Sequence, residues 1–418
     1  MSEKASQALE PRQDVVPVIL GGDIGVYALA REFHEAFDVR SHVVNSGFIG
    51  AITHSCVCET HTIPVLDGEH VREEVASIAA GCPDRHVVLI GNTDAVIELI
   101  EGVADSLPDN VVPCVPPKDA CDAVCDKVNF SRLCTAHGLD VPQMCVVHFD
   151  GEGSYEGLED MPLPVVAKPA VSADYYGYIV RGFQKVYYLT SREDLGATLA
   201  RLAEAGFAGD FLVQELIGGD DTYMDSLTLY VGADGSPRLF GAAQVLLEDH
   251  SPSMLGNPVA MIVREKPELW ERASALLADV GYRGFANFDI KRDPATGREL
   301  FLDCNPRIGR NSYYNVAGGV NPMQVLVHDV VDGRRDEVRV ASRHVLYSLV
   351  PNSLLRRYVR DEALLAEVDD LIARGLVFDP QRYPADWGLR RRMDVELTER
   401  NQVRKFNRYY PQATDSSF

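Results

Sequence analysis

The sequence predicts an α/β lobe followed by two α+β lobes, one small and one larger and antiparallel. Three observations predict it. The first 117 residues alternate short apolar runs with helical patterns, which means a parallel sheet with crossover helices. Later apolar runs come in pairs separated by ADGSP (233–237) and PATG (294–297), both hairpin signals. Between these regions, QMCVVHF and LPVVAKPAV read as strands around an acidic, glycine-bearing loop at 150–160. A chain of 418 residues exceeds one ordinary core, so two to four lobes are expected.

Taken in order, VVPVIL is the first strand, GGDIG a turn, VYALAREFHEAF a helix and VRSHVVN a second strand. HVVLIG, DAVIELIEGVADSL and NVVPCV continue the alternation, and VPP at 115–117 closes the lobe. CDKVNFSRLCTAHG reads as one helix stopped by Gly138, with Pro142 beyond it. KVYYLTS is a strand, REDLGATLARLAEAG an amphipathic helix, and DFLVQELIGG a strand running into a Gly-Gly turn. DSLTLYVG pairs with RLFGAAQVLL, and FANFDIKRD with RELFLDCNPR; PELWERASALLADVG is the helix between the pairs. The expected boundaries are a disordered leader at 1–15, an α/β domain at 16–117, and a central domain at 118–335 with a lid subdomain at about 142–216. A C-terminal extension at 336–418 mixes one strand, RHVLYSLV, with helical and loop stretches.

Composition narrows the function. The chain is 46% hydrophobic and 24% charged, as soluble globular proteins are. It has no run of 18 apolar residues, so no membrane insertion is expected, and its polar N-terminus lacks a secretory h-region. A net charge of −22 argues against nucleic acid and anionic membranes as partners, while leaving small anions open. Nine scattered cysteines suit reduced thiols and a cytoplasmic location. Cys114, Cys121, Cys125, Cys134 and Cys145 cluster without any CxxC, which fits buried free thiols better than a zinc site.

The chemistry concentrates in FLDCNPRIGR (301–310). Residues at i, i+2 and i+4 of a strand share a face, so Asp303, Asn305 and Arg307 project together where Pro306 ends the strand. Asp289 lies on the other strand of the hairpin, within cross-strand reach of Asp303. Oxygen-only ligands select a hard cation, magnesium or manganese. A hairpin with polar residues on its solvent face is the other reading of this pattern. Lys168 ends an apolar strand and suits a phosphate, and SADYYGYIVRGFQK (172–185) suits a lid over phosphates. Gln214 and Glu215 interrupt an apolar strand before a glycine turn, where an adenine edge could be met, and the acids at 220–221 follow at a distance suited to ribose. No GxxxxGK[ST] occurs, and GGDIG lacks the full dinucleotide spacing, so it reads as a tight turn.

Lys127 in CDKVNF, Lys168 in VVAKP, the VQELIGGDD hinge, NFDIK and FLDCNPR resemble the ATP-grasp superfamily in order and spacing, over about residues 16–335. The resemblance implies an ATP-grasp fold and these roles. Lys127 and Lys168 would contact ATP phosphates. Gln214 would read the adenine amino group, with backbone bonds from Glu215 and Ile217, and Asp221, or else Asp220, would take the ribose. Asp289, Asp303 and Asn305 would hold two Mg²⁺ ions, with Mn²⁺ as a substitute, and Arg307 would stabilise the transferring phosphate. Many members carry Glu in place of Gln214, Asp289 and Asp303, and the shorter acids demand a closer backbone.

The stretch KPAVSADYYGYIVRGFQKVYYL and the tail segments RHVLYSLVPNSLLRRYVRDEALL and RKFNRYYPQ resemble the D-aspartate ligase branch. That branch implies an ATP-dependent carboxylate–amine ligase acting through an acyl phosphate, with a peptidoglycan precursor as amine acceptor; relatives are often homodimers. Arg310, with the backbone N–H groups of Asn311 and Ser312, is the expected anchor for the donor carboxylate. Two alternatives stand beside it: a bicarbonate-activating enzyme of the carbamoyl phosphate synthase or biotin carboxylase kind, and a nucleotide-binding module without turnover.

Overall fold

The computed structural model describes residues 9–149, 157–170, 175–184, 186–252 and 254–416, and among these the strands form three sheets. The first is parallel, in the order β3 (Cys58–Thr62), β2 (Ser41–Asn45), β1 (Val15–Leu20), β4 (His86–Gly91), β5 (Val111–Pro113). Its central strands are buried on both faces by crossover helices, as the apolar runs VVPVIL and HVVLIG require. The chain reverses its winding between β1 and β4. Their carboxyl ends therefore open onto a crevice at a topological switch point.

The second sheet is small and antiparallel. It runs β6 (Met144–His148), β9 (Asp210–Glu215), β7 (Val165–Pro169), β8 (Tyr187–Leu189). The third holds β14 (Glu299–Asn305), β13 (Gly284–Arg292), β10 (Met224–Val231), β11 (Pro237–Asp249), β12 (Asn257–Val263), β16 (Leu346–Ser348) and β17 (Val377–Phe378), with β15 (Arg339–Ala341) beside β11. Both hairpins expected from turn residues are present: β10 pairs β11, and β13 pairs β14.

Three local expectations need correction. The helix expected across CDKVNFSRLCTAHG begins at Lys127 and ends at Ala136, and a separate helix, Lys118–Cys125, precedes it with Asp126 between them. Asp126 is extended, and its carboxylate caps the second helix through Asn129 N–H. Residues 9–14 of the expected disordered leader are tied down: Glu10 and Arg12 donate backbone bonds to Ala36 and Phe37, and Arg12 pairs with Asp14 and Asp332. Among the clustered cysteines, Cys125 is exposed and Cys114 half-buried, while Cys121, Cys134 and Cys145 are buried free thiols. The expected lid stretch 172–185 falls partly outside the described residues; within it, Tyr176–Val180 is helical. No helix among the described residues is long and apolar enough to cross a membrane.

The C-terminal extension closes over the first lobe. The helix Ile24–Phe37 is buried nearly all round, sheet on one side and later chain on the other. Arg31 lies over the rings of Tyr313 and Tyr383 and donates to the carbonyls of Asp379 and Pro380. Arg391 is fully buried over Tyr27, 3.1 Å from Asp386, and donates to the Ala51 and Asp386 carbonyls. Asp386 in turn accepts from Tyr27, Ser55 and the Cys56 N–H. Arg391→Ala strands Asp386 as a buried carboxylate without its cation, so a loss of about 3–5 kcal/mol is expected. The denaturant midpoint, at unchanged slope, is the check.

Candidate active site

The hairpin β13–β14 sets Asp289 directly opposite Asp303 and Asn287 opposite Asn305. One extra residue, Leu302, bulges on β14, so the register shifts just past the acidic pair. Directly opposed residues share a face, which puts both carboxylates and the Asn305 amide on one side. Asn305 Nδ2 donates to Asp289 Oδ2 at 3.1 Å and to the Asn287 carbonyl at 3.3 Å.

Two lysines from different elements converge on Asp303. Lys127, the first residue of its helix, puts Nζ 3.0 Å from Oδ1, and Lys168 on β7 puts Nζ 3.4 Å from Oδ2. Burial disfavours charge on all three groups, but the trio divides it unevenly. Burial pushes Lys168 below the usual lysine range despite Asp303. Lys127 is also penalised by burial, yet Asp303 carries it above that range. Asp303, opposed by burial, is held below the usual carboxylate range by Lys168 and Lys127. Burial first, and then the Asp303 charge, push Asp289 up to about 6, against the pull of Arg307 and the Asn305 hydrogen bond.

The small sheet brings its own ligands. Gln214 on β9 faces Val166 on β7, and Lys168 lies two residues on, so Gln214 and Lys168 project from one face. That face looks toward Asp303, to which Lys168 reaches across from the small sheet. Gln214 Nε2 lies 3.6 Å from the Met144 sulfur. Glu215 uses its backbone N–H on Gln143 O and its carboxylate on Gln143 N–H, so its carbonyl is the group it has to offer a ligand. The Ile217 N–H has no backbone partner among the described residues. Asp221 is turned inward, 4% exposed, accepting from Glu248 N–H and facing His250 Nε2 at 2.9 Å. A ribose contact from Asp221 requires that pairing to open; Asp220 instead holds Arg360 and the Thr222 hydroxyl.

The two arginines point to the first lobe. Arg307 Nε donates to Asp94 Oδ1 at 3.1 Å, and Arg310 Nε to Asp23 Oδ2 at 2.6 Å. Asn92 donates to the other Asp23 oxygen, which also caps the helix Ile24–Phe37 through Val26 N–H. A Cβ on Gly25 would sit 2.2 Å from Asn92 Nδ2 and 3.0 Å from the Arg310 Cα, so glycine is what lets 310 approach this turn. The Ser312 N–H expected at the donor carboxylate instead donates to the Gly309 carbonyl, and its hydroxyl to Glu32.

Asp23 and Asp94, which hold the two arginines, and Asn92, which holds Asp23, are residues that motif reading passes over. GGDIG reads as a bare glycine turn, and GNTD carries no motif. The signal was topological: both follow the carboxyl ends of β1 and β4, where the strand order reverses.

Behind this crevice, Glu32 is fully buried, and burial, helped by the Glu35 charge, pushes its carboxyl up to about 8 against the Ser312 hydrogen bond. The folded chain then keeps a proton that the unfolded chain releases near 4.5. That stabilisation is complete below the unfolded value and lost as pH rises through about 8. Thermal scans are expected to show the parent falling relative to Glu32→Gln from about pH 5 to pH 8, by up to ~1.4 kcal/mol per pH unit.

The donor set fits a hard divalent cation: two carboxylates and an amide oxygen, with no sulfur or imidazole among them. The crowding of Asp289 against Asp303 is what such a cation would relieve. The paired ammonium groups fit the phosphates of a nucleotide.

No protein-family model matches the chain. It is 26% identical over 409 residues to a D-aspartate ligase of Enterococcus faecium (strain Aus0004), covering 95% of this chain and 97% of that enzyme. An ADP complex of N5-carboxyaminoimidazole ribonucleotide synthetase matches with a TM-score of 0.57 at 14% identity, over 81% of this chain and 82% of that one. The biotin carboxylase domain of Hydrogenobacter thermophilus 2-oxoglutarate carboxylase, solved with MgADP, ADP and bicarbonate, matches at 0.57 and 12% identity, over 79% and 72%. The chain has the ATP-grasp fold. Over its full length the chain is similar to an enzyme of the ligase class. ATP and Mg²⁺ fit this fold, in keeping with the ADP and MgADP complexes of its structural neighbours.

Proposed function

We propose that the protein activates a small amino-diacid carboxylate, D-aspartate foremost, with ATP and joins it to an amine. One observation carries this reading: Asp289 and Asp303 stand in register, and Asp303 is shared by lysines from both flanking elements. Such an arrangement holds a cation and a polyphosphate together at a strand end. The full-length similarity to a D-aspartate ligase supports the donor. Its amine acceptor would be the side-chain amine of a peptidoglycan precursor.

Arg310, at the β1–β4 crevice, would bind a donor carboxylate by exchanging its Asp23 partner. Lys127 and Lys168 would orient the phosphates, and Gln214 with the backbone of Glu215 and Ile217 would hold the adenine end. Asp221, or Asp220, would take the ribose. Asp289, Asp303 and Asn305 would hold magnesium, one ion or two, which neutralises phosphate charge when bound. A donor carboxylate oxygen attacks the γ-phosphorus, and the bond to ADP breaks. The resulting acyl phosphate is attacked by the amine nitrogen; the amide C–N bond forms, phosphate leaves and the nitrogen loses a proton. Arg307 would stabilise charge on the phosphoryl group through both steps. No side-chain nucleophile is needed.

Hydroxylamine trapping tests the proposal. ATP, Mg²⁺ and D-aspartate should yield an aspartyl hydroxamate with stoichiometric phosphate, and L-aspartate should yield less. Phosphate release that depends on bicarbonate and gives no hydroxamate would favour the biotin carboxylase-like alternative. Neither product, with any acid of a carboxylate panel, would leave a nucleotide-binding module.

A further inference from the structure

On the opposite flank of the first lobe, the parallel pairing of β2 and β3 sets His42 beside Glu59, and His61 beside Val44. His42, Glu59 and His61 thus share the face covered by the helix Gly68–Ala80. His42 Nδ1 lies 2.8 Å from His61 Nε2, and Glu59 Oε1 lies 4.0 and 3.9 Å from those same two atoms. A point about 2.1 Å from all three atoms therefore exists in their plane, which is the bond length of zinc to imidazole nitrogen and carboxylate oxygen.

The supporting groups are in place. His61 Nδ1 lies 2.7 Å from Glu74 on the covering helix. Donating that proton to Glu74 leaves the Nε2 lone pair facing His42 and Glu59, the carboxylate–imidazole arrangement that orients metal-bound histidines. Arg40 sits 3.8 Å from the other Glu59 oxygen, Oε2, so Oε1 is left for a ligand. With the His61 Nδ1 proton donated to Glu74, the bridge between the imidazoles uses the His42 Nδ1–H, and a cation taking both nitrogens requires His42 to carry its proton on Nε2 instead.

We propose that His42, Glu59 and His61 form a binding site for a divalent transition metal of the zinc class, with Glu74 as the group that orients His61. Two imidazoles and one carboxylate leave at least one coordination position open, and their chemistry selects zinc over the magnesium suited to the oxygen site across the lobe. The metal would join β3, the edge strand, to β2 and, through Glu74, to the covering helix.

The test is Zn²⁺ binding to the full chain, by competition with a chromophoric chelator, together with Co²⁺ absorption. The parent is expected to take up one Zn²⁺ at this site and to melt at higher temperature with Zn²⁺ than with chelator. His61→Gln and Glu59→Gln should each weaken that binding at least about tenfold and abolish the thermal shift, and Glu74→Gln should weaken it about 10–100-fold. ATP-dependent turnover should be unchanged, because none of these side chains lies at the cleft. Equal Zn²⁺ affinity in parent, His61→Gln and Glu59→Gln would overturn the proposal. So would thiolate charge-transfer bands with Co²⁺ that vanish in Cys121→Ser, or no Zn²⁺ uptake by the parent. The exposed Glu59→Gln keeps the test decisive if the His61 variant fails to fold.

Discussion

Replacing Asp303 by alanine is expected to lower ATP-dependent phosphate release by at least about a thousandfold. Three consequences combine. The cation loses one of its two acidic ligands. Lys127 and Lys168, both seated on that carboxylate, lose the charge that holds them together. Lys168 in particular, which burial already pushes down, is left with Lys127 as its nearest charged neighbour among these groups and should shed its proton more readily. Asp303→Asn preserves the shape but not the charge, so it should behave like the alanine variant, whereas Asp303→Glu should recover part of the rate at higher Mg²⁺. Phosphate release across a Mg²⁺ titration is the measurement, with circular dichroism to establish folding. Parental turnover with an unshifted Mg²⁺ requirement would sink the proposed cation site.

Arg307→Ala is expected to cost about 10²–10³ in kcat for phosphate release while leaving the ATP KM within a few-fold. Arg307 lies beyond the last residue of β14, on the face of Asp303 and Asn305, with Nε on Asp94. Moving that fork onto a developing phosphoryl charge exchanges one carboxylate for another anion, at little cost in reorganisation. Lysine at 307 keeps the charge and loses the planar fork, so Arg307→Lys should restore only part of the rate. Single-turnover release from enzyme saturated with ATP separates this effect from binding. A parental rate in the alanine variant would remove Arg307 from the reaction.

The legible parts of the chain are those where one face is buried and the other is not. The hairpin β13–β14 could be placed because PATG supplies the turn and alternating residues supply the register. The strand β3 was missed: CETHT at the edge of the sheet exposes most of its side chains and carries no apolar run. β12 was missed for another reason, since NPVAMIV merges by composition into the loop before it. CDKVNF reads as the start of a helix, and Asp126 as its cap makes Lys127 a first-turn residue. Asp23 and Asp94 lie outside any motif because their partners, Arg310 and Arg307, are more than 200 residues away. Contacts of that span depend on how the lobes meet, which local patterning does not encode.

The enclosure of helix Ile24–Phe37 by the tail has a consequence for synthesis. Tyr27 bonds to a residue 359 positions later, and Arg391 to a carbonyl 340 positions earlier. While the ribosome is still translating, one side of that early helix has nothing to cover it. Its cover arrives only with residues 308–330 and then 379–391, so the first lobe must wait, partly bare, until those distant segments are made.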